Sequence, residues 1–106
     1  MKSEADLNRF RAKVFNAIAD PVRLKILEFL REKERCACEF VPLLKIVQPL
    51  VSRHLKILKD CGLVRVWKDG NRRIYSITDP RIFNVIDNMT QDLQASLSKL
   101  IIEHAI

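Results

Sequence analysis

The chain has 106 residues, 48% hydrophobic and 30% charged, the balance of one globular domain or of a small one that completes its core by pairing with a copy of itself. Nineteen Lys and Arg against thirteen Asp and Glu leave a formal charge of +6, which suits a polyanionic partner. No apolar run approaches the ~20 residues that span a bilayer, and three cysteines are too few for a secreted disulfide scaffold. The opening MKSEADLNRF lacks the apolar stretch of a signal peptide, so a cytoplasmic location with reduced thiols and no membrane partner is expected.

The periodicity predicts a first helix over residues 5–19, where Leu7, Phe10, Val14, Phe15 and Ile18 recur at three- and four-residue steps. Asp20-Pro21 restarts the chain, with Asp as a favoured N-cap and Pro at the first helical position. Val22, Leu24, Ile26, Leu27 and Leu30 then mark the buried side of a second helix ending near Arg31. The polar run 32–35 reads as a loop. Residues 36–44 read as a short third helix, in which Pro42 fits only within the first turn.

Residues 48–59 form a fourth helix. On a helical wheel Gln48, Ser52, Lys56 and Lys59 share one face, with Pro49 and Arg53 at its margin and Val51, Leu55 and Leu58 opposite. Gly62 supplies a left-handed cap. Residues 63–67 and 72–77 are β-rich runs around Lys68-Asp69-Gly70-Asn71, and Asp-Gly between such runs signals a hairpin. Asp79-Pro80 starts a long helix to about His104, with Ile82, Ile86, Met89, Leu93, Leu97, Leu100 and Ile101 as a continuous apolar stripe.

The fold class is therefore mostly α with a β-hairpin wing, in the order ααααββα: a winged helix-turn-helix filling residues 1–106 as one domain. The helix-turn-helix takes residues 36–59 and the wing 63–77. Charge follows this division. Residues 45–73 hold eight basic and two acidic side chains, whereas residues 1–44 carry +2 and residues 74–106 carry −2. One sign dominating one block points to duplex DNA rather than to an ordinary solvated face. Gln48, Ser52 and Arg53 offer amide, hydroxyl and guanidinium groups to base edges in the major groove. Lys56 and Lys59 lie along the same face, and Lys68, Arg72 and Arg73 at the hairpin can reach phosphates or an adjacent minor groove.

Four strings carry a family resemblance: ADPVRLKIL (19–27), CACE (36–39), QPLVSRHLKILKDCGLV (48–64) and KDGNRRIY (68–75). They resemble the ArsR/SmtB family of metalloregulatory repressors over roughly residues 10–78. The resemblance implies a homodimer that pairs through its first and last helices (residues 1–19 and 79–106) and leaves its operator when an inducer binds; the two-fold symmetry of such a dimer predicts an inverted-repeat operator. It passes the base-reading role to Gln48, Ser52 and Arg53. His54 lies nearly opposite the polar face and reads as structural. The family often has Ser before the Gln-Pro pair as helix cap; here Val47 stands there, at a cost on the order of 1 kcal/mol.

Cys36 and Cys38 match the Cys-X-Cys of the arsenic-sensing branch, which implies that they are the metal ligands. Thiolates suit As(III), Sb(III), Cd(II), Pb(II) or Zn(II) as inducer, with no required cofactor. On a regular helix the two side chains point about 200° apart, so gripping one ion requires the helix start to deform. The third cysteine of arsenic sensors is replaced by Val41, and no cysteine precedes Cys36. Cys61 matches a ligand position of a Cd/Pb-sensing branch, but its partner site is Ile57 and a small buried hydrophobe is the simpler reading. Only Glu103-His104, with distant Asp87 and Asp92, answers to the terminal-helix zinc site of other members, so that site is expected to be absent. The alternative is a repressor of the same family responding to redox state or another signal. An enzyme is not expected, because no Cys-X-X-Cys motif or Gly-rich phosphate loop is present.

Overall fold

The computed structural model describes residues 3–105. Ser3 opens it as a cap, its Oγ accepting the Asp6 N–H at 3.1 Å, and α1 (Glu4–Ile18) follows. Asp20 caps α2 (Pro21–Glu32) by accepting the N–H groups of Val22 and Arg23 at 2.8 and 3.4 Å, with Pro21 at the start as its chemistry favours. After β1 (Arg35–Cys36) come α3 (Ala37–Leu44) and α4 (Gln48–Asp60), joined by a turn that holds Lys45 in the left-handed region. The hairpin β2 (Val64–Asp69) and β3 (Arg72–Ile77) precedes α5 (Ile82–Asp87) and α6 (Gln91–Ala105).

The core forms where α2, α3 and α4 meet. Ile26 and Leu27, Phe40, and Val51, Leu55 and Leu58 are its fully buried side chains. Val64 and Tyr75 close it from the sheet, Val14 from α1 and Phe83 from α5. Burial of this kind is worth roughly 1.5–3 kcal/mol per large aliphatic or aromatic side chain, so α4 is fixed by one face and free on the other.

Four details differ from the sequence reading. The run 32–35 is not all loop: Arg35 and Cys36 form a short strand antiparallel to β3, opposite Tyr75 and Ile74, giving a sheet in the order β1-β3-β2. Two residues carry too little periodicity to register. Within the hairpin, Asp69 pairs with Arg72, so the turn is Gly70-Asn71 rather than Asp-Gly. Gly70 has φ 63 and Asn71 an ordinary negative φ, the glycine-first pattern of a type II′ turn. Pro42 sits at the sixth position of α3, beyond the first turn; it forfeits only the bond to the Cys38 carbonyl, and the helix ends two residues later.

The long terminal helix is broken. Asn88 ends α5, and Thr90 starts α6 by accepting the Leu93 N–H on Oγ1 at 3.2 Å and the Gln94 N–H on its carbonyl at 2.9 Å. The apolar stripe runs through the break because side-chain periodicity says nothing of the intervening caps. Residues 91–104 are all exposed, and the radius of gyration, 16.3 Å, exceeds the ~13 Å of a compact chain this size. Thus α6 stands off the core. Arg31 and Asp87, with two hydrogen bonds of 2.9 and 2.6 Å, tie the end of α2 to the end of α5 just before the break. No helix among the described residues is long and apolar enough to cross a membrane.

Candidate nucleic-acid interface and thiol pair

With Val51, Leu55 and Leu58 inward, α4 turns Gln48, Ser52, Lys56 and Lys59 outward, and all four are exposed. Gln48 Nε2 donates to Ser52 Oγ at 3.2 Å, one turn on, which fixes the amide and hydroxyl as a pair. Lys56 Nζ lies 2.7 Å from Asp60, and that hydrogen bond lowers the Asp60 carboxyl from its ordinary pKa. Arg53 is exposed at the margin. The sequence thus places the polar face correctly.

His54 turns away from that face. Its Nδ1 is 3.1 Å from Arg23 Nη1, and Arg23 also donates to the carbonyls of Ala17 and Asn16. Arg23 therefore braces α4 against the end of α1. The sequence reading missed this residue. Its only signal was its place three residues after Asp20, whose carboxylate lies 3.9 Å from Arg23 Nη1.

In the wing, Lys68 stands directly opposite Arg73, a like-charged cross-strand pair that costs stability, while Asp69 faces Arg72. Among the described residues Arg53, Lys59, Lys68, Arg72 and Arg73 have no carboxylate within salt-bridge distance. A groove of about 620 Å³ separates wing from helix, lined on one side by Gln48, Ser52 and Lys59 and on the other by Arg72 and Arg73. Cys36 and Cys38 line the same groove.

The two cysteines meet without any deformation of α3. Cys36 lies outside the helix, with φ −69 and ψ 143, as its N-cap; Cys38 is two residues in. That extended residue swings the buried Cys36 sulfur against the exposed Cys38 sulfur, with the Cα atoms 5.2 Å apart and the two sulfurs joined as a disulfide, where the sequence leads one to expect reduced thiols. The regular-helix estimate of opposite directions fails because only one of the two residues is helical. Cys36 Sγ accepts the Cys38 N–H at 3.2 Å, and Glu39 accepts the Cys36 N–H at 2.6 Å, completing a capping box.

Arg35 holds this turn from behind. It is buried, donates to Phe29 O at 3.1 Å and to Glu32 at 2.8 Å, lies 3.7 Å from Glu39, and stacks over the Phe29 ring. The sequence pattern alone does not single out Arg35; for Glu39 the available signal is a Glu three residues after a capping position. Cys61 is apart from the pair. It is buried, donates to Leu58 O at 3.3 Å, and lines a separate apolar cavity with Phe10, Val14, Leu63 and Ile82. Among the described residues no group of three His, Cys, Asp or Glu converges on a metal position, and only when reduced does the pair offer two soft ligands.

A three-helix core with an outward polar helix and a basic hairpin defines a winged helix-turn-helix domain. Residues 20–66 match the model of the bacterial regulatory proteins of the arsR family. Over 76 residues the chain is 34% identical to the arsenical resistance operon repressor of Staphylococcus aureus, covering 72% of this chain and 73% of that protein. It is 45% identical over 75 residues to the probable mercury resistance operon repressor of Streptomyces lividans, covering 71% of this chain but 60% of that one. The homodimeric winged helix-turn-helix DNA-binding domain of a possible ArsR-family regulator from Mycobacterium bovis superposes with TM-score 0.74 at 26% identity, covering 86% of this chain and 90% of that one. This chain belongs to the ArsR family of bacterial regulatory proteins.

Proposed function

We propose that the chain is a sequence-specific transcriptional repressor that binds operator DNA as a homodimer and is released when a thiophilic metalloid or metal ion occupies Cys36 and Cys38. The observation that carries this reading is the groove, where the outward face of α4, the unpaired wing cations and the thiol pair meet. Gln48, Ser52 and Arg53 are assigned to base edges. Lys56, Lys59, Lys68, Arg72 and Arg73 are assigned to phosphates, and the Lys68–Arg73 opposition is relieved when an anion lies against it.

Dimerisation through α1 and α6 accounts for their exposed apolar faces, including Phe10, Phe15, Leu97, Leu100 and Ile101. It also agrees with the homodimeric M. bovis neighbour. The whole of residues 1–106 then acts as one domain with dimer helices at both ends, and its two-fold axis calls for an inverted-repeat operator.

For the inducer, two thiolates favour soft ions: As(III), Sb(III), Cd(II), Pb(II), Zn(II) or Hg(II), the last in keeping with the mercury-repressor relative. The test is to titrate reduced protein bound to a selected operator with As(III), Cd(II) and Hg(II). Release is expected from wild type and not from the Cys36→Ser/Cys38→Ser double variant; release from both overturns the sensor assignment. One observation favours a second reading, a redox response. The two sulfurs are bridged with α3 intact, and their Cα separation of 5.2 Å lies within the disulfide range. Release by a mild oxidant without metal distinguishes it.

A further inference from the structure

We infer that the thiol pair acts inside the space the DNA phosphates occupy, so that a bound duplex covers Cys38 and the charge carried on Cys38 sets duplex affinity directly. The inference rests on the DNA-binding reading above and adds how the same site is regulated. Cys36 and Cys38 line the same groove as Ser52, Lys59, Arg72 and Arg73. They are therefore part of the DNA-facing surface, rather than a remote site whose signal must travel to it.

The two sulfurs are not equivalent. Cys36 is buried and is held as the helix cap by the Cys38 N–H; Cys38 is exposed. Reagents reach Cys38 first. Around it, Lys59, Arg72 and Arg73 have no carboxylate partner among the described residues, and Lys56 already has Asp60. A negative group on Cys38 would take up the cations that phosphate requires, and a bulky one would fill the groove itself. Either acts without a relay through α3.

Two measurements test this. In the first, reduced protein is alkylated with iodoacetamide, alone and with a mixed-sequence DNA duplex at low salt, and modification of Cys38 is followed by peptide mass spectrometry. Saturating duplex is expected to slow Cys38 alkylation by at least about tenfold, because phosphate binding needs no specific sequence under those conditions. In the second, Cys38→Asp and Cys38→Asn are compared for duplex affinity. They are nearly the same size and differ by one charge, and the Asp variant is expected to bind about tenfold more weakly, with a loss that shrinks as salt rises.

Misfolding does not imitate that result, since an acidic residue in the first turn of α3 favours the helix. Equal alkylation rates with and without bound duplex, or equal affinities of the two variants, overturn the inference while leaving DNA binding in place. Failure of wild type to bind any duplex at low salt overturns the repressor reading itself, and the inference with it.

Discussion

Helix α4 begins without a side-chain cap, and Val47→Ser should supply one. Val47 has φ −74 and ψ 152, the extended geometry of an N-cap, and is 61% exposed, so removing its isopropyl group uncovers little. A hydroxyl cap is typically worth ~1 kcal/mol in a range of ~0.5–2. Here the gain falls in the lower half. The second helical residue is Pro49, which has no N–H, and the Leu50 N–H already reaches the Val47 carbonyl at 3.1 Å. Only that weak bond is left to improve, so about 0.5–1 kcal/mol is expected.

For a chain of this size the gain corresponds to a rise of about 2–6 °C in Tm. It would be read by far-ultraviolet circular dichroism at fixed protein concentration, since dimerisation makes Tm concentration-dependent. Val47→Ala is the reference, because it removes the same methyl groups and adds no acceptor. Equal midpoints for the Ser and Ala variants would refute the capping argument. The same geometry explains why the chain tolerates Val there: proline and the tightened first turn have left few orphan donors.

Arg23→Ala should cost about 2–3 kcal/mol in urea unfolding, because it strips donors from two carbonyls and from His54 at a site only 13% exposed; Arg23→Lys should recover less than half, since an ammonium cannot fork to all three. The Asp79 carboxyl is held down from 3.8 to about 2, chiefly by the Arg81 guanidinium and then by the Arg81 N–H. A depressed carboxyl contributes stability above its unfolded pKa and loses it as pH falls toward the folded one. Wild type should therefore lose stability between about pH 4 and 2 more steeply than Asp79→Asn, and parallel curves would exclude the effect. Leu97→Asp should give a monomer by sedimentation at micromolar concentration, because it places charge in the apolar face of α6; a dimer that survives points to another interface. Arg53→Ala should erase preference among operator sequences, whereas Lys68→Ala should weaken every duplex alike and lower the salt slope by about one.

The helices were legible because each carries a stripe and a start signal that agree. Asp20-Pro21 marks α2, and the wheel of α4 separates Val51, Leu55 and Leu58 from Gln48, Ser52 and Lys56 as the structure does. The break at 88–90 was not legible from periodicity, since Ile86, Met89 and Leu93 keep helical spacing across it. What decides there is Thr90, whose hydroxyl and carbonyl both close the first turn of α6. Local capping decides the path where, among the described residues, no other element packs closely on α6. The stripe is divided by the break, Ile82 and Ile86 packing on the core while Leu93, Leu97, Leu100 and Ile101 are exposed on α6.

The cysteine pair shows the reverse: its Cys-X-Cys spacing is plain in the sequence and its geometry is not. Cys36 and Cys38 were named together, but their convergence depends on β1, a strand of two residues that pairs with β3 through Arg35–Tyr75 and Cys36–Ile74. That pairing pulls Cys36 out of α3 and leaves it as cap, which turns an unfavourable helical spacing into adjacent sulfurs. It also places Cys36 opposite the residue that follows Arg73 on the wing strand. The same two-residue strand thus fixes the pair beside the wing as well as at the start of α3.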